Sequence, residues 1–276
     1  MPDEMDLSFL DRPEILQVIF PVAYLPFQMP AFLRSRTAGV PACSMEVEEG
    51  IKIVCGFWVS GKDHPLILYF HGNGETVDTH EWIAPYYNWR GINLFVSDYR
   101  GYGASDGKPT ISNMVADAHT IFRGFREKLR EEGFKDSLFV MGRSLGSVPA
   151  VEVALNYQDD IRGLIVESGT ASNFRRLWDY PGVSPGITAA GEERAFLNKE
   201  GAFLNKVKVR RIHRPTLIIH GENDEIIPVE EGKELYRRSG SREKRILIVP
   251  GAGHNDIMMN QELYFGTIEE FIREHQ

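Results

Sequence analysis

A chain of 276 residues is long enough to bury a sizeable core, and α/β folds of this size often form one domain, so a single domain carrying an insertion is expected. With 42% hydrophobic, 25% charged and 11% aromatic residues, the composition is that of an ordinary globular protein and excludes a disordered chain. The net charge of −8 offers no electrostatic footprint for phosphate backbones or anionic lipid surfaces, which sets nucleic acid aside as a partner.

In chain order, the start Met1-Pro2-Asp3-Glu4-Met5-Asp6 lacks the cationic character of a secretory signal. The apolar stretch 15–32 is broken by Pro21, Pro26 and Pro30, so no membrane span is expected there. Residues 1–44 read as a strap packed on the core, with a membrane-touching or dimer-forming segment as the alternative. The two cysteines, Cys43 and Cys55, lack metal-ligand spacing, which suggests a reducing compartment and hence a cytoplasmic location.

From residue 45 onward the chain reads as one α/β domain running to 276. Segments 45–47 and 51–59, separated by Glu48-Glu49-Gly50, predict an antiparallel pair. Short apolar runs at 66–70, 92–97, 137–141, 161–166, 216–219 and 245–249 predict strands covered on both faces, the condition of a parallel sheet. Between them Met114, Ala118, Ile121, Phe122, Phe125 and Leu129 form one helical stripe that Gly133 ends. Further helices are expected over 145–157, 230–238 and a final segment containing Leu263, Ile268, Phe271 and Ile272, with Pro149 an oddity inside the first of them. Alternating strands and helices imply a doubly wound, mostly parallel sheet. Residues 169–214 interrupt the alternation and predict a small cap insertion over one end of the sheet. Within it Ala195-Phe196-Leu197-Asn198-Lys199 recurs seven residues later as Ala202-Phe203-Leu204-Asn205-Lys206, which puts both Phe-Leu pairs on one helical side. Phe196 and Phe203 are candidate apolar substrate contacts, the alternative being that they serve only the core.

Four motifs carry the chemistry, each just past a predicted strand. Gly142-Arg143-Ser144-Leu145-Gly146 lies between a strand and a helix, the context of a nucleophile elbow, where a sharp turn exposes a strained serine at a helix N-terminus. The Leu145 N–H and the helix dipole there favour a developing oxyanion. His71-Gly72-Asn73-Gly74 can aim a second N–H, that of Asn73, into the cleft, while His71 itself reads as a structural tie for the loop. Asp224, in His220-Gly221-Glu222-Asn223-Asp224, and His254, in Gly251-Ala252-Gly253-His254, complete a set. A serine hydroxyl needs a base that titrates near neutrality, which is histidine, and the histidine needs a carboxylate to fix its tautomer. The order Ser144, Asp224, His254 is the order of α/β hydrolases, and all three sit where open α/β sheets place their sites.

With these motifs and Asp98-Tyr99-Arg100-Gly101-Tyr102-Gly103-Ala104-Ser105, the chain resembles small serine hydrolases of the α/β-hydrolase superfamily over about residues 45–275. It is most similar to the esterase-like group that includes depalmitoylases, monoacylglycerol lipases and prolyl-oligopeptidase-like enzymes. The resemblance implies an α/β-hydrolase fold with Ser144 as nucleophile, Asp224 as acid and His254 as base. The short insertion and Ser147-Val148-Pro149 after the elbow depart from the family's pattern and leave the pocket's shape open.

The expected reaction is hydrolysis of a small-molecule ester or thioester through an acyl-enzyme, with no metal or organic cofactor. An amide substrate on the same residues is the nearest alternative, and a silent binding scaffold the more distant one. Glu167, at the end of the 161–166 run, is a second candidate acid. Arg143 is placed either to meet an anionic substrate group or to pack on the sheet. Asp117 and His119 point apart on a helix, which argues against a shared metal. His64, His80 and His213 read as solvated turn residues, and Lys206, Lys208, Arg210, Arg211 and Arg214 as a solvated basic face, with an anion grip as the sharper alternative.

Overall fold

The apolar runs become strands whose two faces feed two separate cores. The structure, a computed structural model, describes residues 7–24, 42–172 and 204–276. The strands are β1 (Ala42–Glu48), β2 (Ile51–Trp58), β3 (Leu66–Phe70), β4 (Asn93–Ser97), β5 (Leu138–Arg143), β6 (Gly163–Glu167), β7 (Thr216–Gly221) and β8 (Lys244–Val249). They form one sheet in the order β1-β2-β4-β3-β5-β6-β7-β8. β1 pairs with β2 and β2 with β4 antiparallel, and every other pairing is parallel. The expected doubly wound, mostly parallel sheet is therefore present.

Successive side chains of a strand point to opposite faces, so β3 sends Leu66, Leu68 and Phe70 into one core and Ile67 and Tyr69 into the other. β5 does the same with Leu138 and Val140 against Phe139 and Met141. The first core is closed by α1 (Pro13–Ile19), α4 (Ile111–Glu131), α5 (Ser147–Asn156) and α7 (Val229–Arg238). The second is closed by α3 (Ala84–Asn88) and α8 (Gln261–His275). Two short helices, α2 (Pro21–Tyr24) and α6 (Asn205–Lys208), complete the set among the described residues. No described helix is long and apolar enough to cross a membrane.

α4 begins where Thr110 and Asn113 cap each other, Oγ1 of Thr110 accepting from the Asn113 N–H at 3.1 Å and Asn113 Oδ1 accepting from the Thr110 N–H at 2.8 Å. Asp11, ahead of α1, takes the next two open N–H groups, those of Ile111 and Ser112. Leu7, Leu10, Ile15, Leu16, Ile19 and Phe20 bury themselves in the first core, and Tyr24 donates to the Pro109 carbonyl. The helix expected over 145–157 is divided: a 3₁₀ turn, Ser144–Gly146, precedes α5. Pro149 is the third residue of α5, where an N–H would have no intrahelical partner, so its presence costs the helix little. Phe196, Phe203 and the first copy of the duplicated pentapeptide lie outside the described residues, as does most of the 169–214 insertion.

Candidate active site

Because the six parallel strands point the same way, the loops after β3, β5, β6, β7 and β8 gather at one edge of the sheet. The loop after β5 turns sharply. Ser144 has φ +52°, a left-handed conformation rare for a residue with a Cβ. The turn closes only because its flanking residues are glycines: a Cβ on Gly142 would lie 2.2 Å from the Gly146 oxygen, and one on Gly146 would lie 2.0 Å from the Phe70 oxygen. The Ser147 hydroxyl donates to the Ser144 carbonyl at 2.6 Å and ties the turn to the first residue of α5.

Ser144 is 8% exposed, and its Oγ lies 3.0 Å from His254 Nε2. His254 Nδ1 lies 2.8 Å from Asp224 Oδ2. With the Nδ1 proton donated to Asp224, Nε2 is left to accept from the serine hydroxyl. The other carboxylate oxygen of Asp224 accepts from the Ile226 and Ile227 N–H groups at 3.0 and 2.7 Å. His220, four residues earlier, donates from Nε2 to the Ile227 carbonyl at 2.8 Å and stands 3.3 Å from Asp224 Oδ2. Burial alone would raise the pKa of Asp224, but His220, His254 and the Ile227 N–H override it and hold the carboxyl far below the usual carboxylate range. The loops after β7 and β8 fit without slack: a Cβ on Gly221 would lie 2.4 Å from the Gly253 oxygen, and the Asn223 N–H donates to Ala252 at 2.8 Å.

The loop after β3 brings Asn73 to the same edge. Its amide donates to the Ile19 carbonyl at the end of α1, 2.8 Å, and its Oδ1 accepts from Tyr102 at 2.6 Å. The backbone N–H groups of Asn73 and Leu145 have no acceptor among the described residues. His71 is buried, with Nδ1 2.8 Å from the Gly72 carbonyl and Nε2 3.2 Å from Asp98 Oδ1. Burial opposes charge on His71, yet Asp98, Glu75 and the Gly72 carbonyl together raise its pKa. Tyr99 donates to the His71 carbonyl at 2.7 Å, and Asp98 accepts from the Val77 N–H. The Asp98-Tyr99-Arg100-Gly101-Tyr102-Gly103 segment is thus the scaffold of this loop.

The comparisons with known proteins follow the same lines. The chain matches the model of the family Hydrolase_4, described as Serine aminopeptidase, S33, over residues 61–186 and 202–262. The chain belongs to the Hydrolase_4 family, within the α/β-hydrolase superfamily. Two relatives of this Hydrolase_4 chain are the human alpha/beta hydrolase domain-containing protein 17B, 31% identical over 86% of the chain and 77% of that protein, and the Caenorhabditis elegans alpha/beta hydrolase domain-containing protein aho-3, 32% identical over 76% of the chain and 58% of that protein. Of the latter, therefore, the chain spans less than two thirds. Among solved structures it is similar to Est1E from Butyrivibrio proteoclasticus with ferulic acid bound, TM-score 0.68, 21% identity, 85% of this chain and 99% of that one. A soluble variant of monoglyceride lipase from Saccharomyces cerevisiae gives TM-score 0.66, 17% identity, 87% and 97%. At these identities the likeness is one of fold.

Elsewhere in this Hydrolase_4 chain, Glu167 is turned to Arg143 Nε at 3.2 Å and to the Tyr264 hydroxyl at 2.7 Å, so Asp224 is the carboxylate on His254. The Arg143 guanidinium is engaged by protein groups on every nitrogen. Asp117 pairs with Arg100 and His119 lies 3.5 Å from Glu152. Among the described residues, no group of three or more His, Cys, Asp or Glu is placed to hold a metal ion. Two expectations are corrected. His80 is not a solvated turn residue: it is buried 3.5 Å from Glu75. Lys208 is not part of a solvated face: it is 2% exposed and bonded to Glu152. Glu75 and Asn255, and a role for His220 beside Asp224, emerge only from the structure. Only His220 carried a signal, its spacing of four from Asp224.

Proposed function

We propose that this protein is a serine hydrolase that cleaves a carboxylic ester or thioester through an acyl-enzyme. The observation that carries the reading is the unbroken line of hydrogen bonds from Ser144 Oγ through His254 to Asp224. Ser144 Oγ attacks the carbonyl carbon while His254 Nε2 takes its proton. The tetrahedral oxyanion is held by the N–H groups of Asn73 and Leu145, and Asp224 steadies the imidazolium. His254 returns the proton to the leaving alcohol or thiol as the acyl–oxygen or acyl–sulfur bond breaks. A water, deprotonated by the same nitrogen, then releases the carboxylic acid and regenerates Ser144. The chemistry is assigned to protein groups, without a metal or organic cofactor, acting on a small-molecule substrate in the cytoplasm.

The likeness in fold to an esterase from Pyrococcus furiosus and to the monoglyceride lipase of Saccharomyces cerevisiae supports the ester reading. The description of the family model, a serine aminopeptidase, favours a second one: an amide substrate on the same residues. A panel of p-nitrophenyl esters of increasing acyl length, acyl thioesters and aminoacyl amides separates them. Turnover of esters or thioesters at least a hundredfold above the amides is expected, and the reverse ranking replaces the first reading by the second.

A further inference from the structure

Arg143 directly precedes Ser144, yet its side chain is 6% exposed and reaches three other segments of the site. Its Nη2 donates to the His254 carbonyl at 2.8 Å and to Asn255 Oδ1 at 2.9 Å. Its Nη1 is bonded to Glu75 Oε1, and its Nε lies 3.2 Å from Glu167 Oε1. Glu75 uses its second oxygen to accept from the Gly72 N–H at 3.1 Å, one residue before Asn73. A Cβ on Gly72 would lie 2.7 Å from Arg143 Nη1, so the loop is seated directly against the guanidinium.

One side chain therefore joins the nucleophile's turn, the backbone of the base and the loop of the second oxyanion donor. Each of these parts must hold its geometry to within a fraction of an ångström for the proton to pass from Ser144 to His254 as the oxyanion forms. A planar guanidinium suits the task because its donors leave in fixed directions and several can be used at once. A lysine ammonium presents one point of charge on a flexible stem. Removing one buried partner of this cluster also leaves Glu75 and Glu167 close together without the cation between them.

We propose that Arg143 is a positioning residue that sets His254 and the Asn73 loop for the transition state and makes no contact with substrate. This rests on the reading of Ser144 as the nucleophile. A group that acts on geometry without touching substrate changes kcat and leaves KM nearly as it was.

The test compares Arg143→Lys and Arg143→Ala with the wild-type chain by thermal melting, by kcat and KM on the best p-nitrophenyl ester, and by the second-order rate of fluorophosphonate labelling. Arg143→Lys, which keeps the charge, guards against a variant that fails to fold. Expected for Arg143→Lys, assayed well below its melting temperature, is a fall in kcat of about a hundredfold, a KM within about threefold of wild type and a labelling rate that falls with kcat. Arg143→Ala, where it folds, falls at least as far. Wild-type kcat in folded Arg143→Lys overturns the inference in favour of a purely structural role. A raised KM with kcat kept overturns it in favour of a substrate contact. Ser144→Ala, run beside them, separates the two ideas: turnover surviving in that variant defeats the nucleophile itself, whereas its loss combined with an active Arg143→Lys defeats this inference alone.

Discussion

Asp224 Oδ2 meets His254 Nδ1 at 2.8 Å, whereas Glu167, on the neighbouring strand, directs its carboxylate to Arg143 and Tyr264. The two acids therefore predict different losses. Asp224→Asn removes the acceptor that fixes the histidine's tautomer, and kcat should fall about 10⁴-fold. Glu167→Gln keeps a hydrogen-bonding oxygen and leaves that acceptor alone, so its kcat should stay at least a hundredfold above that of Asp224→Asn. Steady-state kinetics on one ester decides the matter, and the opposite ranking would move the acid to Glu167.

A fluorophosphonate probe should modify Ser144, read by peptide mass spectrometry. Ser144→Ala should lose the label and about 10⁶ in kcat, because the members of such a set act as a unit. Label appearing on a different serine contradicts the assignment.

Gly146→Ala tests the turn rather than the chemistry. The added methyl would start 2.0 Å from the oxygen of Phe70, the last residue of a strand paired on both sides, which cannot move aside cheaply. Destabilisation of about 1–3 kcal/mol or more is expected, measured by urea denaturation, together with slower probe labelling. A variant as stable as wild type would mean that the turn is looser than its geometry implies.

Acid should weaken the fold in a defined window. Glu152 is held down to about 2, because Lys208 and His119 outweigh the effect of its burial. A carboxyl whose folded value lies below its unfolded one contributes stability that is complete above the unfolded value, near 4.5, and is lost as pH falls toward 2. Asp224, held lower still, works in the same direction and releases its share at the most acid end. Denaturation midpoints should therefore fall between pH 5 and pH 3, about where carboxylates begin to protonate, and less steeply in Glu152→Gln than in wild type.

Chelation is the simplest check on the cofactor-free chemistry. Dialysis against EDTA should leave kcat unchanged. A loss that added metal restores would contradict the proposed mechanism.

The parts of this molecule that could be read from the chain are those whose cause is local. Leu66 to Phe70 is a strand because five consecutive apolar residues suit a strand covered on both sides. Gly142 and Gly146 flank Ser144 because the turn admits no side chain there. The misread residues owe their state to distant partners. Lys208 is buried because Glu152, 56 residues earlier, receives it. The tie between Arg143 and Glu75 spans 68 residues, and nothing near Glu75 distinguishes it from the other acidic residues of the chain. His80 looks like a surface residue among Asp78, Thr79 and Glu81, yet the fold closes over it against Tyr69 and Glu75.

The backbone of Ser144 also sets a limit on durability. A side-chain-bearing residue at φ +52° costs roughly 1–2 kcal/mol, and glycine would remove that cost. Ser144→Gly should then melt higher than wild type while being inert. The same position would thus be improved for folding by the change that abolishes the hydroxyl, a trade between activity and stability confined to one residue.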